Sequence, residues 1–268
     1  MSQELPVHAG RQLGESANQT RKLRQPRRFA VAMASVLLLA VLAGFAPTFL
    51  LRPVFTNASM PPHLYIHGAV LTGWFFWLLL QTSLIANHRP ALHRRLGIVG
   101  VLLAAAVVAT GLQTANGFVP HMQADGIDAA LRPFGADSAH PESNPLIVLI
   151  VSGNYSALLV FAVLVCLAVA FRRRAEVHGR LMLLASIGLI GPAALRISLW
   201  FGGSLIPVRI RVGLLIFALL AAMIVHDVRS RGRVHVATLA GSVFMLVTTV
   251  AFVRAGIGQA AIAYFQTR

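Results

Sequence analysis

Seven apolar runs, each long enough to cross a lipid bilayer, constrain the fold of this chain more than any other feature. A membrane-spanning helix needs about 20 mostly apolar residues to cross about 30 Å of hydrocarbon. The runs cover residues 29–51, 63–86, 96–118, 146–171, 180–201, 206–226 and 236–255. We therefore predict an all-α polytopic membrane protein with seven transmembrane helices, numbered here span 1 to span 7 in chain order.

The composition agrees with a lipid-facing surface. The chain is 57% hydrophobic and only 12% charged, whereas a soluble protein has about 45–50% apolar and about 25% charged residues. The bilayer is therefore its first expected partner. A formal net charge of +15 could suit nucleic acid, but the basic residues lie in short clusters between apolar runs and not on a soluble basic domain. We predict no nucleic-acid partner.

The basic residues also predict an orientation. Sixteen of the 23 lysines and arginines lie in residues 1–28 or near the turns that follow spans 2, 4 and 6. Because cytoplasmic loops carry the excess of basic residues, we predict a cytoplasmic N-terminus, an outer C-terminus and a location in a bacterial inner membrane. The expected organisation is a basic, disordered tail (1–28), a transmembrane domain (29–256) and a short outer tail (257–268). The longest connection, residues 119–145, has four prolines and is expected to be an irregular flap with one short helix.

Polar groups inside a membrane are costly, so they are candidates for function. On span 2, positions 63, 67, 74 and 81 fall within about 40° on a helical projection, and we expect this stripe to face the other helices. Pro192, one turn before Arg196, is expected to kink span 5. The candidates for an outward-facing pocket are His63, His67, Gln81, Gln113, Asn116, Asn154, Arg196, Arg209 and Arg211.

A second polar layer is expected on the cytoplasmic side. Three histidines there open an outward-running helix in similar local sequences, which suggests a weak hairpin repeat. A histidine beside the positive end of a helix dipole is favoured in its neutral form, which is the form that binds metals. The layer is therefore a candidate site for haem or a divalent metal, or else anchors the helix ends at the lipid headgroups. The layer also contains His88, and its metal or haem candidates are His93, His178, His226, Asp227 and His235.

Four sequence blocks resemble a family of uncharacterised bacterial seven-span inner-membrane proteins. The blocks are HGAVLTGWFFWLLLQTSL, LHRRLGIVG, HGRLMLLASIGLIGPAALR and RGRVHVATLAG. The resemblance implies the membrane architecture and no catalytic residues, since that family has no assigned reaction. A fainter similarity links the histidine-bearing helices to cytochrome b561-like and other haem-carrying bundles, which would imply a haem.

Several functions remain open at this point. The chain has no P-loop, nucleotide fingerprint, HExxH, GxSxG or CxxC pattern, so no catalytic residues are assigned and an enzyme is not favoured. The preferred specific hypothesis is a membrane redox or metal- or haem-binding component. The alternatives are a transporter or receptor for a small anionic ligand, a membrane hydrolase of the CREST type using Asp227 and histidine-bound metal, and a non-catalytic accessory protein.

Overall fold

The computed structural model describes residues 28–55, 60–124, 144–200 and 206–266. These residues form helices and turns and contain no strand. Within them, six helices are long and apolar enough to cross a membrane, and a pair of helices bent by 45° passes the same test together and is counted here as the seventh candidate span. The spans are Arg28–Leu50, Pro62–Ala86, Pro90–Phe118, Pro145–Ala170, Ala175–Gly188 with Gly191–Leu199, Val208–Arg231 and Val236–Arg254. The predicted all-α, multi-span architecture is thus confirmed.

Local sequence explains where several of these helices begin and end. Proline lies in the first turn of spans 2 and 4, where its missing N–H would be unpaired in any case. Before span 4, the side-chain oxygen of Asn144 accepts hydrogen bonds from the backbone N–H groups of Leu146 and Ile147. Span 6 ends at Arg231, and the next residue, Gly232, has a φ of 74°, the left-handed conformation that glycine adopts without steric cost.

Span 5 is broken in the place where the sequence predicts a kink. Its two halves are bent by 45° around the break between Gly188 and Gly191. Pro192 lies in the first turn of the second half. Proline has no N–H to donate and its ring clashes with the carbonyl four residues earlier, which is that of Gly188. The bend is therefore a direct consequence of the proline.

Three boundaries differ from the predicted ones. The helix of span 3 runs over Pro90–Ala124, beginning six residues earlier than expected because arginines in a first turn extend to water without ending the helix. Of the predicted irregular connection 119–145, residues up to Ala124 are helical and 125–143 lie outside the described part of the chain. The outer tail contains a helix, Ile257–Gln266, whose Ile262 is fully buried. The predicted disordered tail lies outside the described residues up to position 27.

Span 2 turns its polar stripe towards the other helices, as predicted. Trp74 is only 1% exposed. Its indole N–H donates to the hydroxyl of Ser186 on span 5 at 3.1 Å, and its ring meets that of Phe161 on span 4 edge-on, with centroids 4.9 Å apart. This tryptophan therefore joins three spans in the centre of the bundle.

The two ends of the bundle differ in chemistry. Contacts described below bring the starts of spans 1, 3, 5 and 7 and the end of span 6 together, so the arginine-rich turns share one end, called here the basic-turn end. The opposite end is called the far end. Which end faces the cytoplasm stays a prediction from the distribution of basic residues.

Candidate functional site

Arg196, on the second half of span 5, is the central charged group of the far end. Its Nε donates to the hydroxyl of Thr48 at 3.3 Å, and its Nη1 donates to the carbonyl of Pro192 at 3.2 Å. Its guanidinium carbon lies 4.3 Å from the ring centroid of Phe45. A guanidinium over an aromatic face is stabilised by the negative charge density of that face. All three partners are electrically neutral.

Span 1 reaches Arg196 because Gly44 permits a close approach to span 5. A Cβ at Gly44 would lie 2.7 Å from the carbonyl oxygen and 2.9 Å from the Cα of Ala193. Directly after Phe45, span 1 continues as a π-helix over Ala46–Leu50, a form that occurs often at functional sites. Thr48 lies within this π-helix and Phe45 immediately before it, and both contact the guanidinium. Sequence analysis missed both residues, and Pro47 within the apolar run was the available signal.

His67 of span 2 lies close enough to Arg196 and His63 for electrostatic interaction. Its Nδ1 is 3.2 Å from the hydroxyl oxygen of Thr110 on span 3. That hydroxyl donates its proton to the carbonyl of Ala106 at 2.8 Å, so it must accept from His67. The tautomer of His67 therefore carries its proton on Nδ1, which leaves Nε2 as a hydrogen-bond acceptor.

No carboxylate compensates Arg196 within the described part of the chain. The only acidic residues in those ranges are Glu176 and Asp227, and both lie at the basic-turn end. Arg209 and Arg211 add further positive charge on the first turn of span 6, where Arg209 is exposed and Arg211 is partly buried. The described side chains of the far end are thus cationic or neutral.

The remaining far-end candidates separate into three groups. Asn116 and Tyr155 join spans 3 and 4, since the tyrosine hydroxyl donates to Oδ1 of Asn116 at 2.7 Å. Asn154 is partly buried, and Gln113 is exposed on the surface of span 3. Gln81 is a correction, because it lies about 21 Å along span 2 from His67 at 1.5 Å per residue. Its backbone carbonyl interacts with His93 at the basic-turn end.

At the basic-turn end, Asp227 of span 6 accepts hydrogen bonds from span 5 and from the start of span 7, and it is only 1% exposed. Its Oδ1 accepts from Nη2 and Nε of Arg180 on span 5, at 2.6 and 3.0 Å. Its Oδ2 accepts from the hydroxyl of Thr238 at 2.5 Å and from the backbone N–H of His235 at 3.1 Å. Four donors satisfy this carboxylate, so its contacts fit a structural link better than a metal ligand.

His235 caps span 7 in its neutral form. Its Nδ1 accepts from the backbone N–H of Ala237 at 3.0 Å, and its Nε2 lies 3.7 Å from a carboxylate oxygen of Glu176. Burial, followed by the charges of Arg180 and Arg231, lowers the pKa of His235 below its ordinary value of 6.5. This direction agrees with the neutral imidazole expected from the sequence, although its largest cause is burial and not the helix dipole.

The other histidines of this end divide between packing and pairing. The ring of His226 stacks on Phe29 of span 1, with centroids 3.9 Å apart and planes 3° apart. His93 of span 3 and His178 of span 5 lie together, with ring centroids 6.1 Å apart and planes at 78°. Within the described residues, no group of three or more histidine, cysteine or acidic side chains is placed to hold a metal. The five predicted candidates therefore do not form one site.

Fold and surface together define this chain as an all-α, multi-pass membrane protein. Its spans expose large apolar side chains to their surroundings, such as Ile98 at 69% and Leu102 at 66%, and contiguous apolar surface of this kind is uncommon on soluble monomers. No protein-family model, curated protein or solved structure matches the chain.

Proposed function

We propose that this protein binds a small anionic ligand at its far end, as a receptor or transporter in the inner membrane of a bacterium. The proposal includes the predicted orientation, which places this pocket on the outer side. One observation carries it: Arg196 is partly buried and meets only neutral partners among the described residues.

A cation enclosed within a membrane protein is costly unless an opposite charge compensates it. Thr48, Pro192 and Phe45 satisfy some donors and one face of the guanidinium, but they leave its charge in place. Within the described chain, Nη2 of Arg196 makes no hydrogen bond with a protein group. Arginine binds carboxylates and phosphates through paired N–H groups, so an anion placed beside Nη2 would supply both the charge and the acceptor.

His67 provides a second polar contact for such a ligand. Its Nδ1 proton is engaged by Thr110, so its Nε2 can accept a hydrogen bond from a hydroxyl or a protonated acid group. Arg196 and His67 together would favour an oxyanion that also carries a donor. A hydroxy acid and a monoprotonated phosphate have this combination.

Lipid phosphates have the same chemistry, since an arginine near a helix end can extend to the headgroups. The test is therefore made on purified protein in nanodiscs of neutral phosphatidylcholine and again in nanodiscs containing anionic phosphatidylglycerol. Inorganic phosphate, lactate and acetate are titrated while the thermal unfolding midpoint is followed. We expect at least one soluble anion to raise the midpoint in neutral nanodiscs.

The variants Arg196→Ala and Arg196→Lys identify the site. Alanine should abolish the effect of the anion, and lysine should weaken it because an ammonium cannot reproduce the planar arrangement of donors. Arg209→Ala is the matched control, since it removes an exposed positive charge at the same end. The proposal fails if no soluble anion stabilises the protein, if Arg196→Ala responds as the parent does, or if only phosphatidylglycerol has an effect.

A further inference from the structure

Two histidines at the basic-turn end, far from the proposed anion site, lie close together. His93 comes from the first turns of span 3 and His178 from the first turn of span 5, and their ring centroids lie 6.1 Å apart. From this geometry we infer that the two imidazoles ligate one transition-metal centre, for which a copper ion is the best match.

The ring of His178 is held in the orientation of a metal ligand. Its Nδ1 lies 2.9 Å from the backbone carbonyl of Ala168 on span 4. A carbonyl only accepts, so the proton of the neutral ring is on Nδ1 and its Nε2 carries a bare lone pair. Metal-ligating histidines almost always have their second ring N–H fixed in this way.

His93 carries a lone pair without a partner. Its Nδ1 is buried and, among the described residues, makes no hydrogen bond. The same ring interacts with the backbone carbonyl of Gln81, and because Nδ1 makes no hydrogen bond, we assign this contact to an N–H on Nε2. In each ring, therefore, one nitrogen donates its N–H to a backbone carbonyl and the other nitrogen is left to bind a metal.

A direct hydrogen bond between the two rings would not satisfy both of them. Neutral His178 presents an acceptor at Nε2, and neutral His93 presents an acceptor at Nδ1, so neither nitrogen can donate to the other. A single electrophile near both lone pairs would satisfy the two acceptors. Metal–imidazole distances are about 2.0 Å, and the short separation of the rings is compatible with one ion shared between them.

Copper fits this environment better than other ions. Among divalent first-row metals it has the highest affinity for nitrogen ligands, and in its singly charged form it accepts two ligands. A single charge also matters because Arg94 lies near enough to His93 to repel a cation.

The inference is tested on the full chain in detergent. The protein is incubated separately with Cu(I) under ascorbate and with Zn(II), desalted, and analysed for metal per chain by mass spectrometry. We expect about one copper per chain, with imidazole nitrogen in the X-ray absorption spectrum. An absorbance spectrum of the protein as purified distinguishes a bare ion from haem iron, which the same two imidazoles would ligate and which gives an intense Soret band.

Three variants locate the metal. His93→Gln and His178→Gln should each lower the affinity for copper by at least about tenfold in competition with a chelator, as loss of a ligand does. The control is His226→Gln, which removes a histidine of the same end that stacks on Phe29 and should leave the metal in place. His93→Gln disturbs the fold least, because Nδ1 has no protein partner in the described chain. Circular dichroism verifies folding.

Two results would overturn the inference: a parent protein without stoichiometric metal, or metal retained equally in both glutamine variants. A Soret band in place of copper would overturn the assignment to copper. The outcome is independent of the far-end site. Arg196→Ala should still bind copper, and His93→Gln should still respond to the anion.

Discussion

Arg180 on span 5 and Asp227 on span 6 are joined by two charge-assisted hydrogen bonds to one carboxylate oxygen, with N···O distances of 2.6 and 3.0 Å. The second oxygen of Asp227 connects to span 7 through Thr238 and the backbone of His235. The side chains of Arg180 and Asp227 are 13% and 2% exposed. This buried pair therefore links the last three spans at the basic-turn end.

Removing the charge of Asp227 should destabilise the protein strongly. Asp227→Asn leaves Arg180 as an enclosed cation without its counterion, and breaking one side of a buried ion pair costs about 3–5 kcal/mol. Denaturant unfolding in detergent measures this change. The control is Glu176→Gln, which breaks the more exposed pair of Glu176 with Arg231 and should cost less than about 1 kcal/mol. Equal effects of the two substitutions would show that the Asp227 pair does not support the bundle.

The positions of the apolar helices along the chain could be predicted because each depends on a single continuous segment. Twenty apolar residues must form a helix within lipid, whatever their neighbours are, and Pro192 interrupts such a helix by local geometry alone. The inward direction of Trp74 likewise follows from positions on one helical face. These features need no knowledge of which helices touch.

The composition of the sites could not be predicted in the same way, because it depends on contacts between segments far apart in sequence. Arg196 meets Thr48 across 148 positions, and the position of Asp227 next to Arg180 depends on how two helices pack. Gln81 was assigned to the wrong layer for a different reason. Positions on a shared helical face point in the same direction, but they can lie at different depths in the membrane. His67 and Gln81 are fourteen residues apart, which amounts to about 21 Å along the helix.

Stability should fall as the solution becomes acidic, in part through His235. Its pKa is lower in the folded protein than its ordinary value of 6.5, so the unfolded chain takes up the proton first as the pH falls. The contribution of His235 is therefore fully present above about pH 6.5 and decreases below that pH, until the folded form is protonated as well. Protonation also removes the Nδ1 acceptor that caps span 7.

His235→Asn isolates this contribution, because asparagine caps a helix well and does not titrate. Unfolding free energies from pH 8 to pH 5 should show a smaller decrease for this variant than for the parent. His235→Ala, which has no capping group, should lose about 1 kcal/mol at pH 8. If the asparagine variant had the same pH dependence as the parent, the titration of His235 would not contribute.

Gly44→Ala should disturb the far-end site without changing any residue that contacts the ligand. The added Cβ would lie 2.7 Å from the carbonyl oxygen of Ala193, and a backbone atom in a packed helix cannot move aside. Spans 1 and 5 must then separate, at a cost of about 1–3 kcal/mol, and Phe45 and Thr48 would move away from Arg196.

The stabilisation of the Gly44→Ala variant by a soluble anion should therefore be weaker than that of the parent. Gly73→Ala is the matched control, since a Cβ at this position has nothing within 4 Å. Alanine is also a better helix former than glycine. An unchanged anion response in Gly44→Ala would show that the approach of span 1 does not form the site.

The helix Ile257–Gln266 should detach from span 4 when Gly258 is replaced by alanine. A Cβ at Gly258 would lie 2.6 Å from the backbone carbonyl of Val148 and would also collide with the hydroxyl of Ser152. Ile262, fully buried in the parent, would then lose its packing. Amide hydrogen exchange over residues 257–266 should become faster, because protection depends on how often a segment opens. The control is Gly153→Ala on span 4, where a Cβ has open space, and it should leave the exchange rate unchanged. If Gly258→Ala also left the exchange rate unchanged, the helix would be held by its own hydrogen bonds and not by packing on span 4.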